Sequence, residues 1–363
     1  MLNGKTVAVV LPCYNEAHQI RMVVDTMPDF VDAMIAVDDA SLDTTLEVLL
    51  SLQHSQCRAA AVGSRQGRYS YSSSIYATAN NALLQLRAEQ ERELQSCPIH
   101  ESDSSRLVVI SHPQHRGVGA AMASGYRYAR DAGFDCVARM DGDGQMDPAE
   151  LASICAPIVE GRADYSKGNR LKHRCANQII PRVRYYGNSI LSILTKIASG
   201  YWRVSDTQTG YTAISREALE SIDVYNIYPW YGIPNDVLVT LNIASFRITE
   251  VPIKPVYRIG EQTKMKIPKV VFSISLLLVR LFFKRLFKKY LVRDFHPLFL
   301  LYMATFIAAP VDMWVAIKWV REYLHGNIMY GWLIILVSLT LFTFQTFIFA
   351  MWFDMQDNER LYV

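Results

Sequence analysis

Three times in the first 150 residues an apolar run ends abruptly in acids. Thr6–Leu11 is stopped by Pro12 and followed by Cys13-Tyr14-Asn15-Glu16; Ala33–Val37 runs into Asp38-Asp39-Ala40-Ser41; and Val137-Ala138-Arg139-Met140 runs into Asp141-Gly142-Asp143-Gly144-Gln145. Short apolar runs closed by polar, turn-forming clusters read as strands buried on both faces, the signature of a parallel sheet. In an open α/β sheet ligands bind outside the carboxyl ends of the strands, so Tyr14/Glu16, Asp38/Asp39 and Asp141/Asp143 are expected to line one crevice. Residues i and i+2 of an extended chain point the same way, which lets Asp141 and Asp143 share a cation. Glycines 142 and 144 let a diphosphate come close to the backbone. A hard dication such as Mg²⁺ keeps few protein ligands and takes the rest from phosphates and water. The competing reading of this stretch is a solvated Asp-Gly turn.

The order PCYNE, VDDAS-x-DTT, HRGVGAAM, ARMDGDGQMDP and KGNRL over roughly residues 5–258 resembles the family-2 glycosyltransferases of the GT-A fold. Within that family the likeness is to polyprenyl-phosphate sugar synthases such as the dolichyl-phosphate mannose synthases. The resemblance implies an α/β fold with a nucleotide-sugar-binding half, Rossmann-like with a mostly parallel sheet, followed by an acceptor half. It implies that Pro12, Tyr14 and Glu16 border the nucleoside of a UDP- or GDP-sugar, with Asp38 or Asp39 on the base or ribose and Asp39 favoured. It matches Asp141 and Asp143 to a DxD motif holding Mg²⁺ or Mn²⁺, Gln145 to a polar position beside the metal and sugar, and Arg170 to an arginine near the phosphates. A guanidinium there would offset charge on the leaving diphosphate. Tyr14 as a simple cover of the sheet end and Arg170 as a surface charge are the plain alternatives.

On the acceptor side, the loop Asp206-Thr207-Gln208-Thr209-Gly210-Tyr211 precedes a helix at Ser215–Leu219, and the resemblance places Asp206, Gln208 and Thr209 by the sugar and acceptor phosphate. Where the mannose synthases commonly read S-G-F-R this chain reads Thr209-Gly210-Tyr211-Thr212, so an expected arginine is missing; Arg182, Arg184, Arg203 and Arg216 are candidates to replace it. Asp236 opens an apolar helical run and resembles the base of members acting on hydroxyls, which need one. A phosphate acceptor is already anionic, and Asp236 would then be a helix-capping residue. His112, His115 and Arg116 precede a small-residue helix start at Val118 that suits close packing at the nucleotide-side edge. It is not the glycine fingerprint of a nicotinamide site.

Charge then separates from the catalytic half. Residues 254–293 hold eleven Lys and Arg against Glu261 alone, although the chain is only +3 overall. Residues 259–293 form a basic juxtamembrane segment. Within it Val270, Val271, Ile274, Leu277, Leu278, Leu281, Phe282, Leu286 and Phe287 recur at spacings of three and four among Arg280, Lys284, Arg285, Lys288 and Lys289, the pattern of an interfacial amphipathic helix. No other feature suggests nucleic acid. Arg258, Lys264 and Lys266 are candidates to meet the lipid phosphate. Phe295–Ile317 and Ile328–Phe353 each exceed the roughly 20 residues of a membrane span, giving a hairpin over residues 294–363 whose positive flank keeps both termini and the catalytic half cytoplasmic, in a bacterial inner or endoplasmic-reticulum-type membrane. Asp312 is an acid inside a span, costly unless partnered. No signal peptide is expected, because the first strand follows Met1–Lys5 directly. The cysteines show no C-x-x-C spacing and read as reduced thiols. Residues 63–106 form an insertion with a helix expected at 75–94. The chemistry expected is inverting, metal-dependent sugar transfer to a polyprenyl phosphate, with a hydroxyl-acceptor transferase or a non-catalytic nucleotide-sugar-binding scaffold as rivals and a homo-oligomer as a partner state suggested by analogy.

Overall fold

The computed structural model describes residues 1–55, 97–101, 105–172, 182–230, 232–256, 267–326 and 330–363. Arg258, Lys264, Lys266 and the helix expected at 75–94 lie outside them. Strands β1 (Val7–Cys13), β2 (Ala33–Asp38), β3 (Ile99–His100), β4 (Leu107–Ser111), β5 (Cys136–Arg139), β6 (Tyr165–Asn169), β7 (Thr212–Ser215) and β8 (Ile248–Pro252) build one sheet in the order β3-β4-β2-β1-β5-β7-β6-β8. The block β4-β2-β1-β5 is parallel, so three acid-bearing carboxyl ends fall on one edge, as the sequence led us to expect. Beyond it the sheet is mixed: β7 runs against both β5 and β6, while β6 and β8 are parallel.

Both faces of β1 are buried because its side chains alternate between two cores. Val7, Val9 and Leu11 pack with α1 (Ile20–Asp25), α2 (Thr45–Ser55) and α4 (Leu151–Val159). Ala8 and Val10 pack on the other side under α3 (Val118–Asp131), with α6 (Arg216–Ser221) and α7 (Ile233–Ile243). Helix α3 lies close on β1 because Gly125 leaves room for the Val10 side chain. The first helix starts only at Ile20; before it Asn15, Glu16 and Ala17 give their amides to Ser41, Thr45 and Asp43, knitting the loops after β1 and β2 together.

Helices α5 (Arg182–Ser199), α8 (Ile267–Phe287), α9 (Pro297–Leu324) and α10 (Tyr330–Glu359) complete the chain, with a π-turn at Lys288–Arg293. Helices α9 and α10 pair and are long and apolar enough to cross a membrane. Asp312 accepts from Thr340 Oγ1 at 2.9 Å across this hairpin, so its partner is the other helix.

The basic helix differs from expectation. Six of its expected apolar residues, Ile274, Leu277, Leu278, Leu281, Phe282 and Leu286, are buried against protein rather than turned to lipid. Its exposed apolar residues are Phe272, Leu276, Val279 and Phe287. Two of its cations are also withdrawn from the surface. Arg285, 1 % exposed, gives Nη1 and Nη2 to Asp354 at 2.6 and 2.8 Å and caps the Ala198 and Ile197 carbonyls at the end of α5. Lys289 is buried against Asn358, Asn242 and Asp357. An unpaired charge could not be buried there, and the acids that pair with these cations come from the far end of α10. The tail beyond it joins the eight-stranded sheet beside β8, with Ile248 N on Leu361 O at 2.8 Å and Val363 N on Ile248 O at 3.0 Å.

Candidate active site

The ends of β1, β2 and β5 converge. Cys13, buried at the tip of β1, records this: burial first, then the carboxylates of Asp38, Glu16, Asp141 and Asp143, push its thiol well above the usual range. Gly142 N donates to Pro12 O, and a side chain at Gly142 would meet Cys13 Sγ at 3.0 Å, so the acidic turn sits directly against the first strand end.

Asp141 and Asp143 are held differently. Arg139, buried on β5, donates Nε and Nη2 to Asp141 Oδ1 at 3.0 and 2.9 Å. Burial opposes its charge, but the adjoining carboxylate keeps Arg139 above its ordinary value. Asp141 Oδ2 faces Gly210 of the 206–211 loop, where a Cβ would lie 2.9 Å away. Asp143 Oδ1 accepts from Gln145 N at 3.0 Å, with Gly144 at φ +76° making the turn. Two carboxylates one residue apart fit a hard dication that draws the rest of its shell from a diphosphate. Among the described residues no cluster of three or more His, Cys, Asp or Glu side chains could hold an ion unaided.

Asp38 and Asp39 are both 2 % exposed. Burial raises the Asp38 carboxyl against two hydrogen bonds from Ser41. Asp39 was the favoured nucleoside contact, but its oxygens are taken up inside the fold: His112 Nδ1 and Arg116 N meet Oδ1 at 2.7 and 3.0 Å, and Gly117 N and His115 Nδ1 meet Oδ2 at 2.7 and 2.8 Å. It thereby satisfies amides at the start of α3 and fixes His115. That ring stacks on Tyr14 at 4.1 Å between centroids, with Trp230 edge-on at 5.8 Å. The half-exposed rings form an aromatic wall beside the acids.

On the other flank Arg170 grips Asp206 through N, Nε and Nη2 at 3.1, 2.8 and 3.0 Å. Burial would raise the Asp206 carboxyl, but Arg170 and Lys167 hold it below the usual range. Glu250 on β8 accepts from the Ser205 and Asp206 amides and from Asn169 Nδ2. Lys167, 1 % exposed on β6, donates to Thr209 O at 2.5 Å, and burial pushes its pKa down to about 7 despite Asp206. Arg170, Asp206, Thr209 and Asp141 are thus brought together around one loop. Gln208 turns instead toward Thr207 and Asn235.

Asp236 is engaged between helices. Its Oδ2 accepts from Tyr228 N at 3.0 Å and its Oδ1 pairs with Lys284 at 3.3 Å, tying α7 to α8. Among the arginines weighed as substitutes on the acceptor side, Arg203 pairs with Glu359 and Arg216 with Glu220, both away from the acids of the crevice, while Arg182 and Arg184 lie at the start of α5. Arg139, Lys167 and Glu250 were not singled out by sequence, and His115 was read only as preceding a helix start at the nucleotide-side edge. The first two are cations inside strands, a sign of a paired interior charge.

Residues 91–223 match the family described as Glycosyl transferase family 2. A UDP-N-acetylglucosamine–dolichyl-phosphate N-acetylglucosaminyltransferase of Methanococcus voltae is 26% identical over 70% of this chain and 86% of its own length. A polyprenol monophosphomannose synthase of Mycolicibacterium smegmatis is 30% identical over 34% of this chain and 46% of its length. The solved glucosyl-3-phosphoglycerate synthase of Mycobacterium tuberculosis aligns over 78% of this chain and 80% of its own, at 19% identity and a TM-score of 0.46.

Proposed function

We propose that this chain, whose residues 91–223 match glycosyltransferase family 2, moves a sugar from a nucleoside-diphosphate donor to a polyprenyl phosphate at the cytoplasmic face of a membrane, with inversion. The observation that carries this reading is the convergence of the Asp141/Asp143 pair, the Tyr14–His115 stack and the Arg170–Asp206 clamp on one sheet edge. The similarity to enzymes named for dolichyl-phosphate and polyprenol substrates supports the acceptor class.

In this reading Tyr14 and His115 border the nucleoside, with Pro12 and Glu16 at the same strand end. Asp141 and Asp143 would hold Mg²⁺ or Mn²⁺, which supplies Lewis acidity at the diphosphate when bound. Arg170, fixed by Asp206, faces the developing charge of the leaving group. An acceptor phosphate oxygen forms the new bond to the anomeric carbon as the bond to the diphosphate breaks on the opposite side. That oxygen is already anionic near neutral pH and needs orientation more than a base. The 206–211 loop, resting on Lys167 and against Asp141, is the element that would orient it.

The test is release of nucleoside diphosphate by the full-length protein supplied with nucleotide sugars and either polyprenyl phosphate or the corresponding polyprenol. Phosphate-dependent release, abolished in Asp143→Asn with an unchanged melting temperature, is expected. Equal release with polyprenol, or a near-wild-type rate for Asp143→Asn in metal-depleted buffer, would contradict the reading.

A further inference from the structure

A second concavity plays no part in this chemistry. Between α3, α7 and α8 lies a cleft of about 820 Å³, within the roughly 300–1,000 Å³ of small-molecule sites. Its floor is apolar, with Ile227, Val237, Leu277 and Leu281. Its wall of α8 and the first residue of the π-turn presents Arg280, Lys284 and Lys288 at i+4 spacing, spread over about 12 Å. Asp236 pairs with Lys284, while Arg280 and Lys288 are exposed. Nearer the start of α8 the same ridge is apolar and exposed, with Phe272 at 74 % and Leu276 at 64 %.

The segment 228–230 separates this cleft from the carboxylate crevice. Pro229 O accepts from Gly119 N at 2.8 Å, sealing the segment onto α3, and Trp230 stands against His115 on the far side. A phosphate on the α8 wall is therefore not placed beside Asp141 and Asp143.

We propose that the cleft binds an anionic phospholipid of the surrounding membrane, its phosphate and headgroup on Arg280 and Lys288 and its upper acyl chains along Leu277, Leu281 and the exposed Leu276–Phe272 edge. Arg116, Arg280, Lys284 and Lys288 line the cleft against Asp223 and Asp236, so charge complementarity favours an anion, and the apolar floor beside the cations favours an amphiphile over free phosphate. The wall of the cleft continues through the π-turn into α9, the first helix of the apolar hairpin. The inference rests on the preceding reading only in taking α9 and α10 as a membrane hairpin.

The experiment compares spin-labelled phosphatidylglycerol with spin-labelled phosphatidylcholine bound to the full-length protein in phosphatidylcholine nanodiscs, without nucleotide sugar. Wild type should prefer phosphatidylglycerol by about tenfold, the gain expected from at least one charge-assisted contact. Arg280→Gln/Lys288→Gln should lose that preference with an unchanged melting temperature and unchanged nucleotide-sugar binding. Lys288→Glu alone should reduce it more than Lys288→Gln. An undiminished preference in the double variant would overturn the proposal. So would displacement of the label by polyprenyl phosphate more effectively than by unlabelled phosphatidylglycerol, which would give the cleft to the acceptor. Because no turnover is read, a failure of sugar transfer leaves the result interpretable.

Discussion

Replacing Gly210 by alanine would set a methyl group 2.9 Å from Asp141 Oδ2 and 3.0 Å from the Arg139 guanidinium. Both are short of ordinary carbon contact, about 3.5 Å, by roughly half an ångström. Gly210 is not in the left-handed backbone region, so the substitution adds crowding without backbone strain. Arg139 cannot retreat, since it is buried within β5 and held by the carboxylate itself. Either Asp141 swings outward or the 206–211 loop lifts from it. Misplacing a reacting group by about 1 Å costs on the order of a hundredfold in rate, so a half-ångström adjustment should lower kcat/KM by about 10- to 100-fold, or ~1.4–2.7 kcal/mol. Stability should fall by less than about 1 kcal/mol, because Asp141 lies at the crevice edge and can move toward solvent. Initial rates of nucleoside diphosphate release and a thermal melt measure the two together. A wild-type rate at an unchanged melting temperature would refute the claim that the loop and the acidic pair form one site.

Truncating either partner of the buried Arg285–Asp354 pair strands the other charge, so Arg285→Ala should destabilise by about 3–5 kcal/mol, and the double variant Arg285→Met/Asp354→Leu should recover most of this in a thermal melt; additive losses would contradict it. Lys167, lowered to about 7 in the fold against about 10.4 unfolded, is protonated only in the unfolded chain between those values. Its contribution to stability therefore rises with pH across that window and is flat below it; Lys167→Met should flatten the melting profile from pH 7 to 9, and an unchanged slope would sink the assignment. Asp236→Asn should keep turnover within about threefold, as expected for a carboxylate engaged by Tyr228 N and Lys284 rather than by substrate; a loss above about a thousandfold would instead mark a base serving a hydroxyl acceptor.

The acidic strand ends were legible because they are local. Each apolar run carries its own stop signal, and a parallel sheet has one edge at which such stops can meet. Arg170 was legible through resemblance, but its partner Asp206 belongs to a different loop, and the Glu250 carboxylate holding that loop lies on β8, 44 residues further on. Periodicity located the apolar face of α8 without saying what covers it. Ile274, Leu278 and Phe282 repeat as they would against lipid, yet they pack on protein. Likewise a basic run declares charge but not its partners: Arg285 meets Asp354, 69 residues away, on a helix whose following tail pairs with β8. Asp39 shows the same gap within the site, because an acid past a strand end reads as a ligand unless the amides and imidazoles it accepts from are already known to be near.

Transfer of radiolabel from UDP- and GDP-sugars into organic-extractable polyprenyl phosphate, with Mg²⁺ or Mn²⁺ and with chelator, is the most direct measurement. Label should appear in the lipid phase with one donor, vanish with chelator and be absent for Asp143→Asn; label confined to water-soluble or polymeric product, or lipid label indifferent to both chelator and Asp143, would contradict the assignment.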